Sequence, residues 1–370
     1  MSEEAKAGGS GRGLGLLTVV MTLAGWTSIP LFLFSFKHDF DAWTANGWRY
    51  GISALIWLPP LLLGWWRKNL PKGLWKAALV PCLWNIPAQA LFALAPYYIE
   101  PGLMTFSLRF QIVFLAVGAA MLFPAERRVI RSPGFIAGIL LVLGGTLATI
   151  VLEPEGLGKG SVLGVSIAIG AGLLYACYAL AVRKYMMGIN PLTAFAAVNQ
   201  ITGVGLVALM LAMGRDVHTG AWDGGASVMS LTGSKFGLLA LSAVIGIGLG
   251  HTFYFLSIKR LGLAVSTAVV QLQPVTVSIA SFFIFGERLT PLQWATGMLA
   301  IGGAGVVLWA QHRLAQREEA PPARRCAVCG YSRAGLPDDA RCPECGLAPS
   351  GDANEKGSGN RPSPVGAAEG

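Results

Sequence analysis

Long apolar stretches alternate with short polar breaks along most of this chain. A bilayer core about 30 Å thick is crossed by roughly 20 apolar residues at 1.5 Å rise per residue. Ten stretches meet that length, near 14–36, 48–66, 76–97, 102–123, 133–152, 161–182, 191–213, 236–257, 263–285 and 292–311. The breaks are brief, as in RKNLPKG, AERRVIRS and EPEGLGKGS, and only 215–235 is a longer loop. The pattern predicts an all-α membrane protein of ten transmembrane helices behind a polar segment, 1–13. That segment begins MSEEAKAGGSGR and shows no cleavage site after a short apolar run, so the first apolar stretch is expected to stay as a helix. Pro30, Pro59, Pro60, Pro81, Pro87 and Pro274 fall inside the stretches. In a bundle, neighbouring helices re-satisfy the backbone groups that a proline frees.

The pattern also repeats. Leu103–Glu126 reads LMTFSLRFQIVFLAVGAAMLFPAE and Ala264–Glu287 reads AVSTAVVQLQPVTVSIASFFIFGE. Each ends in a Glu-Arg pair, Glu126-Arg127 and Glu287-Arg288, set 161 positions apart. Each is followed by a stretch with a Gly-Gly pair, Gly144-Gly145 and Gly302-Gly303. Five stretches lie on either side of the midpoint. Five is odd, so the second set starts from the opposite membrane face, and the two sets are inverted repeats, 14–152 and 160–312. Small residues such as Gly246, Gly248, Gly250 and Gly305 allow close helix approach.

Here the sequence resembles a known family. GSVLGVSIAIGAGLLYACYALAVRKY, followed by SIKRLGLAVSTAVVQLQPVTVSIASFFIFGERLTPLQWATGMLAIGGAGVVLW, is similar to the second EamA domain of the drug/metabolite transporter superfamily. The first half, ending LFPAERRVIRSPGFIAGILLVLGGTL, is similar to the first EamA domain but departs from the second copy, with Val113 where that copy has Pro274. The resemblance covers residues 14 to about 311. It implies ten helices in two inverted five-helix repeats and the movement of small organic solutes. It names no substrate and no direction.

Composition agrees with lipid as the main solvent. Charged residues make up 13% of the chain, against roughly 25% in soluble proteins. The net charge of +9 would suggest nucleic acid in a soluble protein, but no basic stripe with interleaved aromatics is present. With the N-terminus inside, the inner segments hold fifteen Lys and Arg and the outer segments six, Arg49 among the latter. That bias predicts both termini in the cytoplasm and a plasma (inner) membrane location.

Charges within a span are costly and mark function. Arg109 reads as the cation well inside a span, with no Asp or Glu in any span interior to pair with it. It either faces a central cavity and meets a carboxylate or phosphate of the substrate, or is structural, bonded to backbone carbonyls or to Glu100. Thr105 shares its face, and the equivalent face of the ninth stretch carries Ser266, Val270 and Gln273. Gln273 is therefore favoured over Gln271 as the cavity amide. Further candidate substrate-binding residues are Asn85, the aromatic pair Trp26 and Tyr175, and His251, whose titration near neutral pH would suit proton coupling. Gln89, Asn199 and Gln200 are secondary candidates, and Glu126 and Glu287 at stretch ends read as helix caps.

After Arg317 the composition changes to a Pro- and Ala-rich linker, 313–325, and then CAVCGYSRAGLPDDARCPECG. Cys326, Cys329, Cys342 and Cys345 form two Cys-x2-Cys pairs twelve residues apart. That spacing suits a four-thiolate structural Zn(2+) cage and resembles a small zinc ribbon, 326–346. Iron in the same cage and redox-active pairs are the alternatives. Gly330 and Gly346 after each second cysteine leave room for the backbone to turn around sulfur. Residues 347–370, rich in Gly, Ser, Pro and Ala, are expected to be disordered.

Three functions follow as expectations. The first is secondary transport of a small organic metabolite or drug by alternating access, with an anionic solute as the case Arg109 points to. The second is a membrane sensor or scaffold whose zinc ribbon recruits a cytoplasmic protein partner. An intramembrane enzyme ranks last, because no paired acids, metal-ligand His cluster or nucleophile–base pair lies in the stretches. The bilayer and a small solute are the expected partners.

Overall fold

The computed structural model describes residues 3–123, 127–152, 159–261 and 263–319, with 336, 340, 341, 343, 344 and 346 in the tail. Contacts divide the chain into two units, Met1–His312 and Arg313–Gly370. All that follows on packing concerns the first unit.

Helices run in the order α1 (Glu3–Phe36), α2 (Ala42–Trp66), α3 (Leu74–Leu94), α4 (Pro101–Leu108), α5 (Gln111–Leu122), α6 (Arg127–Ile130), α7 (Pro133–Val151), α8 (Lys159–Tyr185), α9 (Pro191–Met213), α10 (Gly233–Ser242), α11 (Gly250–Leu261), α12 (Leu263–Val270), α13 (Gln273–Phe285) and α14 (Pro291–Glu319). Among the described residues there is no strand, only an isolated bridge between Arg215 and Trp222. Helix therefore occupies each of the ten apolar stretches. Eight described segments are long and apolar enough to cross a membrane. The stretches at 48–66 and 263–285 are not among them. The first lies in α2, which carries Asn46 and Arg49, and the second is divided between α12 and α13. The outer surface is rich in apolar side chains, with Trp65, Trp66, Leu83 and Phe283 each at least 70% exposed. Such a surface suits lipid and not water, so this is an integral multi-pass membrane protein.

The helix ends follow local chemistry. Asp41 caps α2, accepting from the Thr44 amide at 2.7 Å, and Ser132 caps α7, accepting from Phe135 at 3.3 Å. Asn190 caps α9 in the same way through Leu192, at 3.0 Å. Pro101, Pro133, Pro191 and Pro291 each open a helix, where the missing N–H costs nothing.

Three of the expected helices are interrupted. At Arg109 and Phe110 the amides bond back three residues, to the Phe106 and Ser107 carbonyls, and the chain then restarts as α5. At Leu272 the amide bonds back to Val269 before α13 begins. Such tightened turns mark a local change of helical pitch. Pro274 does not kink a helix, as its position in an apolar stretch suggests; it stands in the first turn of α13 and helps start it. The third interruption is a π-helical segment, Ala243–Leu249, between α10 and α11.

Packing pairs helices across the two sets of five. α1 lies on α11, α3 on α8, α2 on α9 and α4 on α13. α7 meets α14 through glycine: a Cβ on Gly138 would lie 2.8 Å from the Gly303 carbonyl, and one on Gly303 2.7 Å from the Gly138 carbonyl. Gly145 is equally confined, with its Cβ position 2.6 Å from the Ala300 amide, whereas Gly144 and Gly302 face open space. Counted as stretches, the pairs are first with eighth, third with sixth, second with seventh, fourth with ninth and fifth with tenth. Exchanging the two sets of five leaves that list unchanged.

Candidate functional site

Two of the three interrupted helices meet at their interruptions. Arg109 lies at the break between α4 and α5. Its Nη1 donates to Gln271 Oε1 at 2.7 Å and its Nη2 to Gln273 Oε1 at 2.9 Å, on either side of the break between α12 and α13. Its Nε donates to the Thr105 carbonyl at 3.4 Å. The sequence favours Gln273 over Gln271 as the cavity amide; both amides bond Arg109, because the tight turn at Leu272 brings them to one side. Both acceptors are neutral, so they satisfy donors on the guanidinium without compensating its charge.

The network continues into α1. Gln273 Nε2 donates to the Trp26 carbonyl at 2.8 Å, and the Thr27 and Thr276 hydroxyls are 2.6 Å apart. The Trp26 ring packs on His251 at 5.2 Å and on Tyr254 at 5.0 Å between centroids. His251 in turn stacks on Phe195 at 4.5 Å with planes 10° apart. Its Nδ1 lies 3.0 Å from the Ile247 carbonyl. A carbonyl only accepts, so this contact selects the tautomer with hydrogen on Nδ1 and leaves Nε2 as an acceptor. Trp26, Arg109, His251 and Gln273 thus form one continuous constellation.

The other two candidates lie apart from that chain. Asn85 is buried and donates to Thr202 Oγ1 at 2.9 Å, joining α3 to α9. Its carbonyl accepts from Gln89 at 3.4 Å. Nearby, Ser53 and Asn199 bond to each other, and Gln200 donates to the Ala54 carbonyl at 2.7 Å. These amides are occupied in holding helices together. Tyr175 packs edge-on against Phe92 at 6.0 Å. Trp26 on α1 faces α11, and Tyr175 on α8 faces α3, so the two aromatics occupy corresponding places in the two sets.

Two residues differ from the sequence reading: Arg49 in its burial, and Glu287, expected as a helix cap, in the helix that it caps. Arg49, counted from sequence with the outer segments, lies two turns inside α2 and is 1% exposed. Arg109 is therefore not alone as a cation within a span. The available signal was spacing: Asn46, Arg49, Tyr50 and Ser53 recur at helical intervals on one polar face. The second group is Glu287, in the link between α13 and α14. Its carboxylate accepts from the Gly102 amide at 3.0 Å and the Leu103 amide at 3.3 Å, capping α4 from across the bundle. Gly102 makes room, since a Cβ there would lie 2.3 Å from Glu287 Oε1. Burial pushes the Glu287 carboxyl up to about 7, aided by the charge of Glu100 and opposed by the two amides. Glu126, its counterpart in the first set, lies outside the described residues.

Cys326, Cys329, Cys342 and Cys345 also lie outside the described residues. Among the described residues no cluster of His, Cys, Asp or Glu is arranged to hold a metal. Gly346, which follows the fourth cysteine, takes a left-handed backbone with φ 71°.

Residues 162–309 match the model of the EamA-like transporter family. No curated protein matches the chain. A solved structure titled only "Crystal structure of protein" is similar in fold, with a TM-score of 0.53 at 15% identity, over 83% of this chain and 99% of that one. The family match supports a transporter of the drug/metabolite superfamily, and the structural likeness shows the fold alone.

Proposed function

We propose that this protein is a secondary transporter of a small organic solute, working by alternating access between two inverted five-helix repeats. The observation that carries this reading is the Arg109 fork, which joins interruptions in corresponding helices of the two sets. Discontinuous helices near the midplane, at the junction of inverted repeats, are where such transporters hold their substrates. Ten spans follow if α2 and the α12–α13 pair are counted with the eight apolar segments. On this reading the solute lies beside Trp26, His251 and Gln273, and the halves rock about the interface. Arg109 braces the two breaks, and its uncompensated charge favours an anionic solute.

The positive-inside bias puts both termini in the cytoplasm. There the four tail cysteines would stay reduced and hold a structural zinc ion, a reading supported by their spacing and by the left-handed turn at Gly346. The sensor reading, in which the tail recruits a partner and the bundle moves nothing, is tested by the same experiment. Proteoliposomes containing the full chain are loaded with a panel of carboxylates, phosphates and neutral metabolites. Saturable flux of at least one solute is expected. No flux of any, with binding of a cytoplasmic protein through the tail, would overturn the transport reading in favour of the sensor.

A further inference from the structure

Arg49 is a cation placed at 1% exposure among helices, without an anionic partner among the described residues. Its Nε donates to Ser242 Oγ at 3.0 Å. The single hydroxyl proton of Ser242 is given to the Leu239 carbonyl at 2.7 Å, so the serine acts toward Arg49 purely as an acceptor. Nη2 is buried with no hydrogen-bond partner. Burying a guanidinium this way is expensive unless something of opposite charge completes the site.

Arg49 faces the π-helical segment Ala243–Leu249, and a Cβ on Gly246 would lie 3.7 Å from Nη2 and 2.5 Å from Ile29. Single π-helical turns inside α-helices recur at functional sites. A second unpartnered donor lies on the contact between α1 and the helical segment 243–261. Trp26 Nε1 is buried without a partner, beside Gly250, where a Cβ would lie 2.8 Å from it. Gly250 follows Gly246 by four residues and Trp26 precedes Ile29 by three, so the two donors meet neighbouring turns of the same helical segment. Both look for acceptors, and one of them is charged.

We infer that Arg49 is the receptor for an oxyanion group, a carboxylate or phosphoryl, of the transported solute, with Trp26 Nε1 donating to a further acceptor on the same molecule. This names the substrate class and rests on the transport reading above. On the outer edge of the guanidinium Nη2 is free to donate to such a group, and the fork of an arginine suits two oxygens. Arg109 differs, because the same edge is already given to Gln271 and Gln273.

The full-length protein, purified in a maltoside detergent, is heated with benzoate or phenyl phosphate and with the uncharged benzamide, and unfolding is followed by tryptophan fluorescence. The anions are expected to raise the Tm by several degrees and benzamide to leave it unchanged. Arg49→Gln should abolish the shift and, without ligand, unfold at or above the wild-type temperature, because it removes an unpaired buried charge. Arg49→Lys should keep a weaker shift, roughly tenfold lower in affinity, since it retains the charge but not the fork. Equal anion shifts in wild type and Arg49→Gln would overturn the site. So would no anion shift together with a large loss of stability in Arg49→Gln. If phosphatidylglycerol alone gave an Arg49-dependent shift, the occupant would be a lipid headgroup and the solute assignment would fail. Arg49-dependent anion binding without flux in proteoliposomes would keep the site and remove the transport reading. Flux unchanged in Arg49→Gln would do the reverse.

Discussion

Arg109 Nη1 and Gln271 Oε1, 2.7 Å apart, join a break in one interrupted helix to the break in another, 162 residues along the chain. A charged donor on a neutral amide is worth about 1.5–3 kcal/mol when buried. Arg109→Met should therefore destabilise the protein by a few kcal/mol and reduce solute flux at least tenfold. Gln271→Leu should have a smaller effect, and in the double variant the losses should fall well short of additive. Thermal unfolding and proteoliposome flux on the four proteins measure this. Full additivity would mean that the contact carries no coupling.

Glu287 gives the bundle a pH dependence of defined sign. Its carboxyl is raised from the ordinary 4.5 to about 7. The folded state holds a proton that the unfolded state releases between those values. The contribution is therefore fully present below about pH 4.5 and lost as pH rises through about 7. It amounts to on the order of 3 kcal/mol. Tm measured from pH 5 to 8 should fall in the wild type and fall much less in Glu287→Gln. Parallel profiles in the two proteins would refute it.

The cap itself predicts a separate effect. Glu287→Ala leaves the amides of Gly102 and Leu103 without their acceptor, and should cost about 1–2 kcal/mol at pH 5. Gly102→Ala should cost at least as much, because the new methyl would displace the carboxylate. Yield and Tm in detergent are the readouts.

The glycines of the fifth and tenth stretches should separate cleanly. Gly138→Val and Gly303→Val put side chains into opposing backbone and should abolish folded protein. Gly144→Ala and Gly302→Ala meet nothing within 4 Å and should be tolerated within about 0.5 kcal/mol. Size-exclusion profiles of the four variants check this.

For the tail, elemental analysis of the full chain is expected to return one zinc per molecule. Replacing Cys326 and Cys329 with serine should remove it without changing flux, if the ion serves the tail alone.

The sequence by itself determined that this chain meets lipid and that its apolar stretches are helical, and it carried the repeat read among them. Apolar length and the spacing of Pro, Gly and polar breaks are local properties, and helices in a bilayer satisfy their own backbone. The repeat was legible because Glu-Arg and Gly-Gly recur in the same order. Trp26, Arg109, His251 and Gln273 could be named as candidates because polar or aromatic residues stand out against apolar helix. Their connection could not, since it depends on the turns at Arg109 and Leu272 and on which helices lie side by side. A regular helical wheel sends Gln271 away from Gln273, and only the tightened turn brings both amides to Arg109. Arg49 shows the same limit. Its place near the end of an apolar stretch suits a solvated charge, and only the packing of α2 against α1 and the π-helical segment removes it from solvent. Burial and partnership are set by the tertiary structure, because they depend on neighbours distant in sequence.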